Sequence, residues 1–163
     1  MHPVDTGAVT DPLGELAGAL NDLYRLSGSA RFHARTVAAT GVPVTRSGLR
    51  FLSLVADSGP VSGTRLAAGL DLSQPTASRV LQQLETDGLV TRRPSSSDGR
   101  VSHYLVTGKG RRSLGRVHDY HVSQLGAALA DVDPDRRAAL AAAVTELVER
   151  LHRQDAGADR RTA

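Results

Sequence analysis

The sequence predicts a mainly α-helical chain with one small β-hairpin, an α+β arrangement in which helices dominate. Three observations predict it. Aromatic side chains are few (Tyr24, Phe32, Phe51, Tyr104 and Tyr120), so Leu, Val and Ala must build the core, and Ala and Leu lead the helix propensity scale. Helix-start signals recur along the chain, with Asp-Pro pairs at Asp11-Pro12 and Asp133-Pro134. One stretch only, Leu89 to Val106, reads as two short strands around a polar turn, PSSSDG at 94–99.

Each element follows from its local signals. Asp11-Pro12 opens a helix from Leu13 to Ala39, with Leu13, Leu16, Leu20, Leu23, Tyr24 and Val37 as its apolar positions. Unbroken, it would be roughly 40 Å long, more than a compact monomer can bury along its length. Gly41 and Pro43 end it. Thr45 caps a second helix to about Asp57, with Leu49, Leu52 and Val55 inward, and Ser58-Gly59-Pro60 breaks it. Ser62 caps a short third helix to about Leu70, Asp71 and Leu72 make a turn, and Ser73 caps a fourth helix that stops at Gly88. Leu89 to Arg93 and Val101 to Val106 form the hairpin. Thr107 caps a fifth helix through Ala130, and Asp133-Pro134 starts a sixth to about Arg153. Residues 1–10 and 154–163 lack an apolar period and are expected to be disordered tails of a single domain spanning 1–163.

Composition narrows the function classes. There is no cysteine and the only methionine is Met1, which excludes disulfides, thiolate metal sites and cysteine-based redox sensing. No apolar run approaches the roughly 18 residues that span a bilayer, and the N-terminus lacks the basic and apolar regions of a secretory signal. No membrane partner and an intracellular location are therefore expected. No phosphate-cradling glycine loop, nucleophile motif or carboxylate pair suggests an enzyme, so no catalytic residue, metal or cofactor is assigned. The net charge of +3 is unevenly spread. Residues 41–112 carry ten basic and five acidic side chains, +5, while the segments on either side are each −1. A localised basic region suits a polyanion. Its cations are almost all Arg, which a high-GC genome and selection for bidentate geometry explain equally.

The fourth helix gives that polyanion a binding face. At about 100° per residue, Ala77, Val80, Leu81 and Leu84 share a core face. Pro75, Ser78, Arg79, Gln82 and Thr86 fall opposite, with Gln74 and Thr76 flanking them near the cap residue Ser73. Gln and Arg forks match adenine and guanine edges, Ser and Thr bond phosphates or bases, and Pro75 and Thr76 can touch a thymine methyl. An ordinary solvated face would carry similar residues. The short helix and tight turn before it, however, make a helix-turn-helix, and Arg92, Arg93 and Arg100 cluster at the hairpin ends beside Ser97. An Arg at such a tip can enter a narrow minor groove. Asp98 and Gly99 read as turn and orientation residues, since a carboxylate near phosphates is repelled. His103, on the second strand, is solvent-facing or close to phosphate.

These residues resemble the MarR-type (multiple antibiotic resistance regulator) winged-helix family. The likeness covers residues 44–112 and rests on LSQPTASRVLQQLETDGLV, on Asp98-Gly99-Arg100, and on Val106-Thr107-Gly108-Lys109-Gly110. The family pattern is an Asp-x-Arg wing followed by Leu-Thr-x-x-Gly, with Val106 here in place of Leu. The resemblance implies a winged helix-turn-helix lobe at 44–107, with dimerisation helices at 11–40 and 108–153. It implies a cytoplasmic, nucleoid-associated homodimeric transcriptional regulator, most simply a repressor, on a pseudo-palindromic double-stranded DNA operator. Gln74, Thr76, Ser78, Arg79 and Gln82 would face the major groove, and Arg92 and Arg100 the minor groove and phosphates. An excess of first helix beyond what a monomer buries would be covered by the partner. One departure is Asp71, where family members usually have Gly; Asp tolerates the left-handed conformation better than most residues. The alternative reading is an architectural or protein-contact module without sequence preference.

The same resemblance implies release by a small anionic or aromatic effector bound between the dimer helices and the lobe. Tyr24, Phe32, His33, Phe51 and His118 are the candidate lining residues, and for each of them packing or dimer contact is the simpler role. His118 and His121 stand at i, i+3, but no third ligand near them in sequence completes a metal set.

Overall fold

The computed structural model describes residues 11–94 and 102–162. Seven helices and three short strands run α1 (Pro12–Gly28), α2 (Ala30–Thr40), α3 (Arg46–Ser58), β1 (Val61–Ser62), α4 (Gly63–Gly69), α5 (Gln74–Thr86), β2 (Val90–Pro94), β3 (Ser102–Val106), α6 (Gly108–Ala128) and α7 (Pro134–Thr162). The chain divides after Tyr120 into two compact units.

The expected long first helix is broken in two. Asp11 caps α1 as its type predicts, its carboxylate accepting the Leu13 N–H. The break comes at Ser27-Gly28-Ser29. The Ser27 hydroxyl donates back to the Leu23 carbonyl at 2.8 Å, a bond that competes with the helix ladder. Ser29 leaves the helix with φ −72° and ψ 145° and then caps α2 by accepting from the Phe32 N–H at 3.1 Å. α1 buries no side chain. In α2, Thr36 and Thr40 are buried, and each hydroxyl is satisfied by the carbonyl four residues earlier, Phe32 and Thr36 respectively.

The core of the first unit lies under α3, α4 and α5. Phe51, Leu52, Val55, Leu66, Ala67, Ala77, Leu81, Leu84, Leu89 and Val90 are buried there, joined by Val42 and Val44 from the loop before α3 and Val117 from α6. Fully burying a side chain such as Phe51 or Leu81 stabilises the fold by about 1.5–3 kcal/mol. Thr45 caps α3 by accepting from Gly48 N–H, and Ser62 caps α4 by accepting from Arg65 N–H. Gly48, Phe51, Leu52 and Val55 are the buried stripe of α3, at i, i+3, i+4 and i+7. Leu49, expected inward, is only half-buried, and so is Val80 on α5.

The sheet has the order β1-β3-β2, antiparallel throughout. The hairpin register pairs Val90 with Val106 and Arg93 with His103, and it extends to Pro94 with Ser102. β1 is an element the sequence did not announce. Two residues, Val61 and Ser62, add to the outer edge of β3 opposite Tyr104 and His103.

Two turns set the angle of α5. After α4, Asp71 takes φ 52°. The Asp71 N–H donates to the Ala68 carbonyl and the Leu72 N–H to the Ala67 carbonyl, the bond pair of a Schellman cap. Asp thus occupies the left-handed position that glycine usually fills. The same pair closes α5: Gly88 (φ 69°) donates to Glu85, and Leu89 donates to Leu84.

In the second unit, Asp133 caps α7 by accepting from the N–H groups of Asp135 and Arg136. α7 continues to Thr162, so the tail expected from residue 154 onward is helical backbone as far as 162. Composition underestimated it because Asp, Gly and Arg interrupt the apolar period there without stopping a helix already started. Leu140, Val144, Val148 and Leu151 form an exposed apolar stripe along it. Residues 1–10, the other expected tail, lie outside the described residues.

Candidate nucleic-acid interface

α5 is an amphipathic helix whose inner face is spent on the core. Ala77, Leu81 and Leu84 are each about 1% exposed. Ser73, Gln74, Pro75, Thr76, Ser78, Arg79 and Gln82 are all exposed. The outward face therefore offers hydroxyl, amide and guanidinium groups and no aliphatic side chain larger than Pro. Gln83 is also exposed, but its amide donates to the Asp87 carboxylate at 3.0 Å. The Thr86 hydroxyl donates to the Gln82 carbonyl at 2.9 Å.

Ser73 departs from the sequence expectation in one respect. It occupies the N-cap position of α5, yet makes no side-chain capping bond. Its hydroxyl pairs with that of Thr76 at 2.9 Å. The first turn carries no acidic residue. The helix thus starts with backbone N–H groups uncovered by its cap and with the positive end of its dipole unneutralised, a geometry that attracts phosphate.

The hairpin contributes Arg92, Arg93 and Pro94, exposed at the far end of β2. His103 is half-buried on β3 opposite Arg93. Ser97, Asp98, Gly99 and Arg100 lie outside the described residues.

The effector candidates separate. Phe51 is 0% exposed and sits in the middle of the core, the packing role that the sequence also left open. Its place in the buried stripe of α3 is the physical reason. Phe32 and His33 are half-buried on α2, His118 is exposed on α6, and Tyr24 is 79% exposed on α1. A surface depression along α6 is lined by Lys109, Arg112, Ser113, Gly115, Arg116 and Asp119, none of them a candidate. Among the described residues, no group of three or more His, Asp or Glu side chains is placed to hold a metal ion.

Sequence reasoning missed the joint between the end of α5 and the start of α6. The Thr107 hydroxyl lies 2.7 Å from the Gly88 carbonyl and 3.1 Å from that of Leu89, and it accepts the Gly110 N–H at 3.0 Å. The Lys109 ammonium donates to the Asp87 carbonyl at 2.6 Å. These contacts join residues about twenty positions apart, so no local periodicity reports them.

Comparison with known proteins agrees with this architecture. A model of the MarR family matches residues 42–101, which hold the helix-turn-helix and the first strand of the hairpin. A protein of Thauera aromatica named for transcriptional regulation of the hcr operon is 31% identical over 149 residues, 87% of this chain and 84% of that protein. The chain belongs to the MarR family. Among solved structures, RV1404 of Mycobacterium tuberculosis superimposes with a TM-score of 0.70 at 22% identity, over 85% of this chain and 93% of that one. A MepR variant of S. aureus bound to an oligodeoxyribonucleotide superimposes with a TM-score of 0.59 at 14% identity, over 86% of this chain and 99% of that one. As a MarR family member, the protein is a DNA-binding transcriptional regulator with a winged-helix fold. Among the described residues, no helix is long and apolar enough to cross a membrane.

Proposed function

We propose that this MarR family regulator is a homodimeric repressor. Two copies of α5 enter successive major grooves of a pseudo-palindromic operator, and the hairpins reach the flanking minor grooves. The observation that carries the reading is the unpartnered apolar surface of the outer helices. On α1, Leu13, Leu16, Leu20, Leu23 and Tyr24 are exposed, as are Val122 and Leu125 on α6 and the stripe of α7. A second copy of the chain supplies the cover that such surfaces need. Two-fold symmetry of the protein then imposes two-fold symmetry on the DNA site, with half-sites about 34 Å, one helical turn, apart.

On α5, Gln74, Thr76, Ser78, Arg79 and Gln82 read base edges, while Ser73 and the helix N-terminus hold phosphate. Arg92 and Arg93 on β2, with Ser97 and Arg100, contact the DNA backbone and minor groove. A small anionic or aromatic effector releases the DNA, with Phe32, His33, Tyr24 and His118 as the residues that would meet it. The protein works in the cytoplasm.

Selection of binding sites from a random duplex pool at two salt concentrations tests the reading. Enrichment of an inverted repeat with half-sites one turn apart is the expected result. Binding that fades with salt and enriches no sequence would favour an architectural module instead. Sedimentation at micromolar concentration is expected to show a dimer, and a monomer there would sink the symmetry argument.

A further inference from the structure

We infer that Lys109 is a positioning residue for DNA recognition: its ammonium, clamped on the last turn of α5, fixes the pose of the reading helix against α6. The argument starts from the Asp87 carbonyl, at the C-terminal end of α5, where the helix dipole concentrates negative charge. Lys109 Nζ lies 2.6 Å from that oxygen. A cation on a helix C-terminus makes a charge-assisted bond, stronger than a neutral one.

Two neighbours make the contact a joint instead of a lone bond. The Thr107 hydroxyl bridges the next two carbonyls of the same turn, Gly88 and Leu89, while accepting from Gly110 in the first turn of α6. The Thr107 N–H also donates to the Leu89 carbonyl at 3.0 Å. Three successive carbonyls, at 87, 88 and 89, are therefore held by two residues at the start of α6, Lys109 and Thr107. α5 cannot tilt about its C-terminal end without breaking them.

Lys109 differs from Thr107 and Gly110 in being exposed. Its removal spares the core, so its part in aiming α5 can be separated from a part in folding. Its stem lies against the same turn, with Cδ 4.0 Å from a Cβ built on Gly88. The amide of Gln83 donates to the side-chain carboxylate of Asp87. Asp87 is thus tied to α5 by its carboxylate and to the first turn of α6 by its carbonyl.

The inference rests on the DNA-binding reading, and the test keeps the two failures distinct. Lys109→Met and Lys109→Arg are prepared beside the wild type. Affinity is measured for the selected operator and for random duplex, each over a salt series. A wild type that selects no operator counts against the reading itself. With an operator in hand, Lys109→Met is expected to weaken operator binding about 2- to 10-fold, the effect of one hydrogen bond. Random-duplex affinity and the salt slope stay as in the wild type, and Lys109→Arg restores operator binding. Equal losses on both duplexes with a salt slope smaller by about one would make Lys109 a phosphate contact and overturn the inference. Unchanged operator binding would overturn it as well. So would a fall in thermal midpoint that accounts for an equal loss on every duplex.

Discussion

Gly110 tests the joint where helix propensity and packing give opposite signs. It lies in the first turn of α6, is buried, and has ordinary helical geometry. Propensity alone says that Gly110→Ala should stabilise the helix by up to about 1 kcal/mol. The added Cβ would overlap the Leu89 carbonyl oxygen, and it would lie 2.8 Å from Val106 Cγ2 and 3.2 Å from the Leu89 carbonyl carbon. Leu89 cannot give way cheaply: it is 3% exposed and its carbonyl accepts the Thr107 N–H. Overpacking costs about 1–3 kcal/mol, and overlap with backbone puts Gly110→Ala at the upper end, so the net loss should be about 2 kcal/mol after a propensity gain of about 1 kcal/mol is subtracted. Gly115 is the control on the same helix, since nothing lies within 4 Å of its added Cβ. Gly115→Ala should gain roughly 0.5–1 kcal/mol. The assay is urea unfolding followed by circular dichroism at one fixed protein concentration. For a chain of this size each kcal/mol moves the thermal midpoint by about 2–4 °C, which gives a second readout. Gly110→Ala as stable as the wild type, or both variants moving in the same direction, would refute the reasoning.

Four further outcomes are expected. Asp71→Gly should stabilise the lobe by less than about 1 kcal/mol, since relief of left-handed strain is partly offset by unfolded-chain entropy, whereas Asp71→Val should cost about 1–2 kcal/mol; urea midpoints check both. Phe51→Ala should cost about 3–5 kcal/mol because it empties the core, and the melting curve reports it. Leu16→Glu combined with Leu20→Glu should leave a folded monomer in sedimentation, with operator affinity lost. Arg79→Ala should change preference at one base-pair position by about 1–3 kcal/mol, while Arg92→Ala should reduce the salt slope by about one on every duplex; site selection and salt titration separate the two roles.

Capping chemistry made most of the fold legible. Asp11, Thr45, Ser62 and Asp133 all accept backbone N–H groups where their residue types said they would. The reading failed where the deciding contact was distant or where two local rules competed. The Ser27-Gly28-Ser29 break is written in residue types, but the apolar period runs across it and masked it. β1 is two residues long and exists only through its pairing with β3, about forty positions away. Phe51 drew attention as a scarce aromatic, yet the stripe with Gly48, Leu52 and Val55 assigned it to the core. Of the interface, the exposed set on α5 was readable from periodicity. The clamp of Lys109 and Thr107 on 87–89 was not, because it joins the ends of elements that the hairpin separates.

The break at Ser29 has a consequence for how the protein responds to its own abundance. It sets α1 apart as a helix of 17 residues, none of them buried in its own chain. Most of a helix's stability in a protein comes from packing of its apolar face and not from propensity. Pairing with a second copy, as proposed, therefore both assembles the regulator and orders α1, so the two are one equilibrium. The lobe, with its own core, keeps its shape at any concentration. Ordered α1 instead grows with the square of the free chain when the chain is scarce. Occupancy of an operator would then rise more steeply than the amount of protein made, giving a threshold set by seventeen residues that lie outside the core.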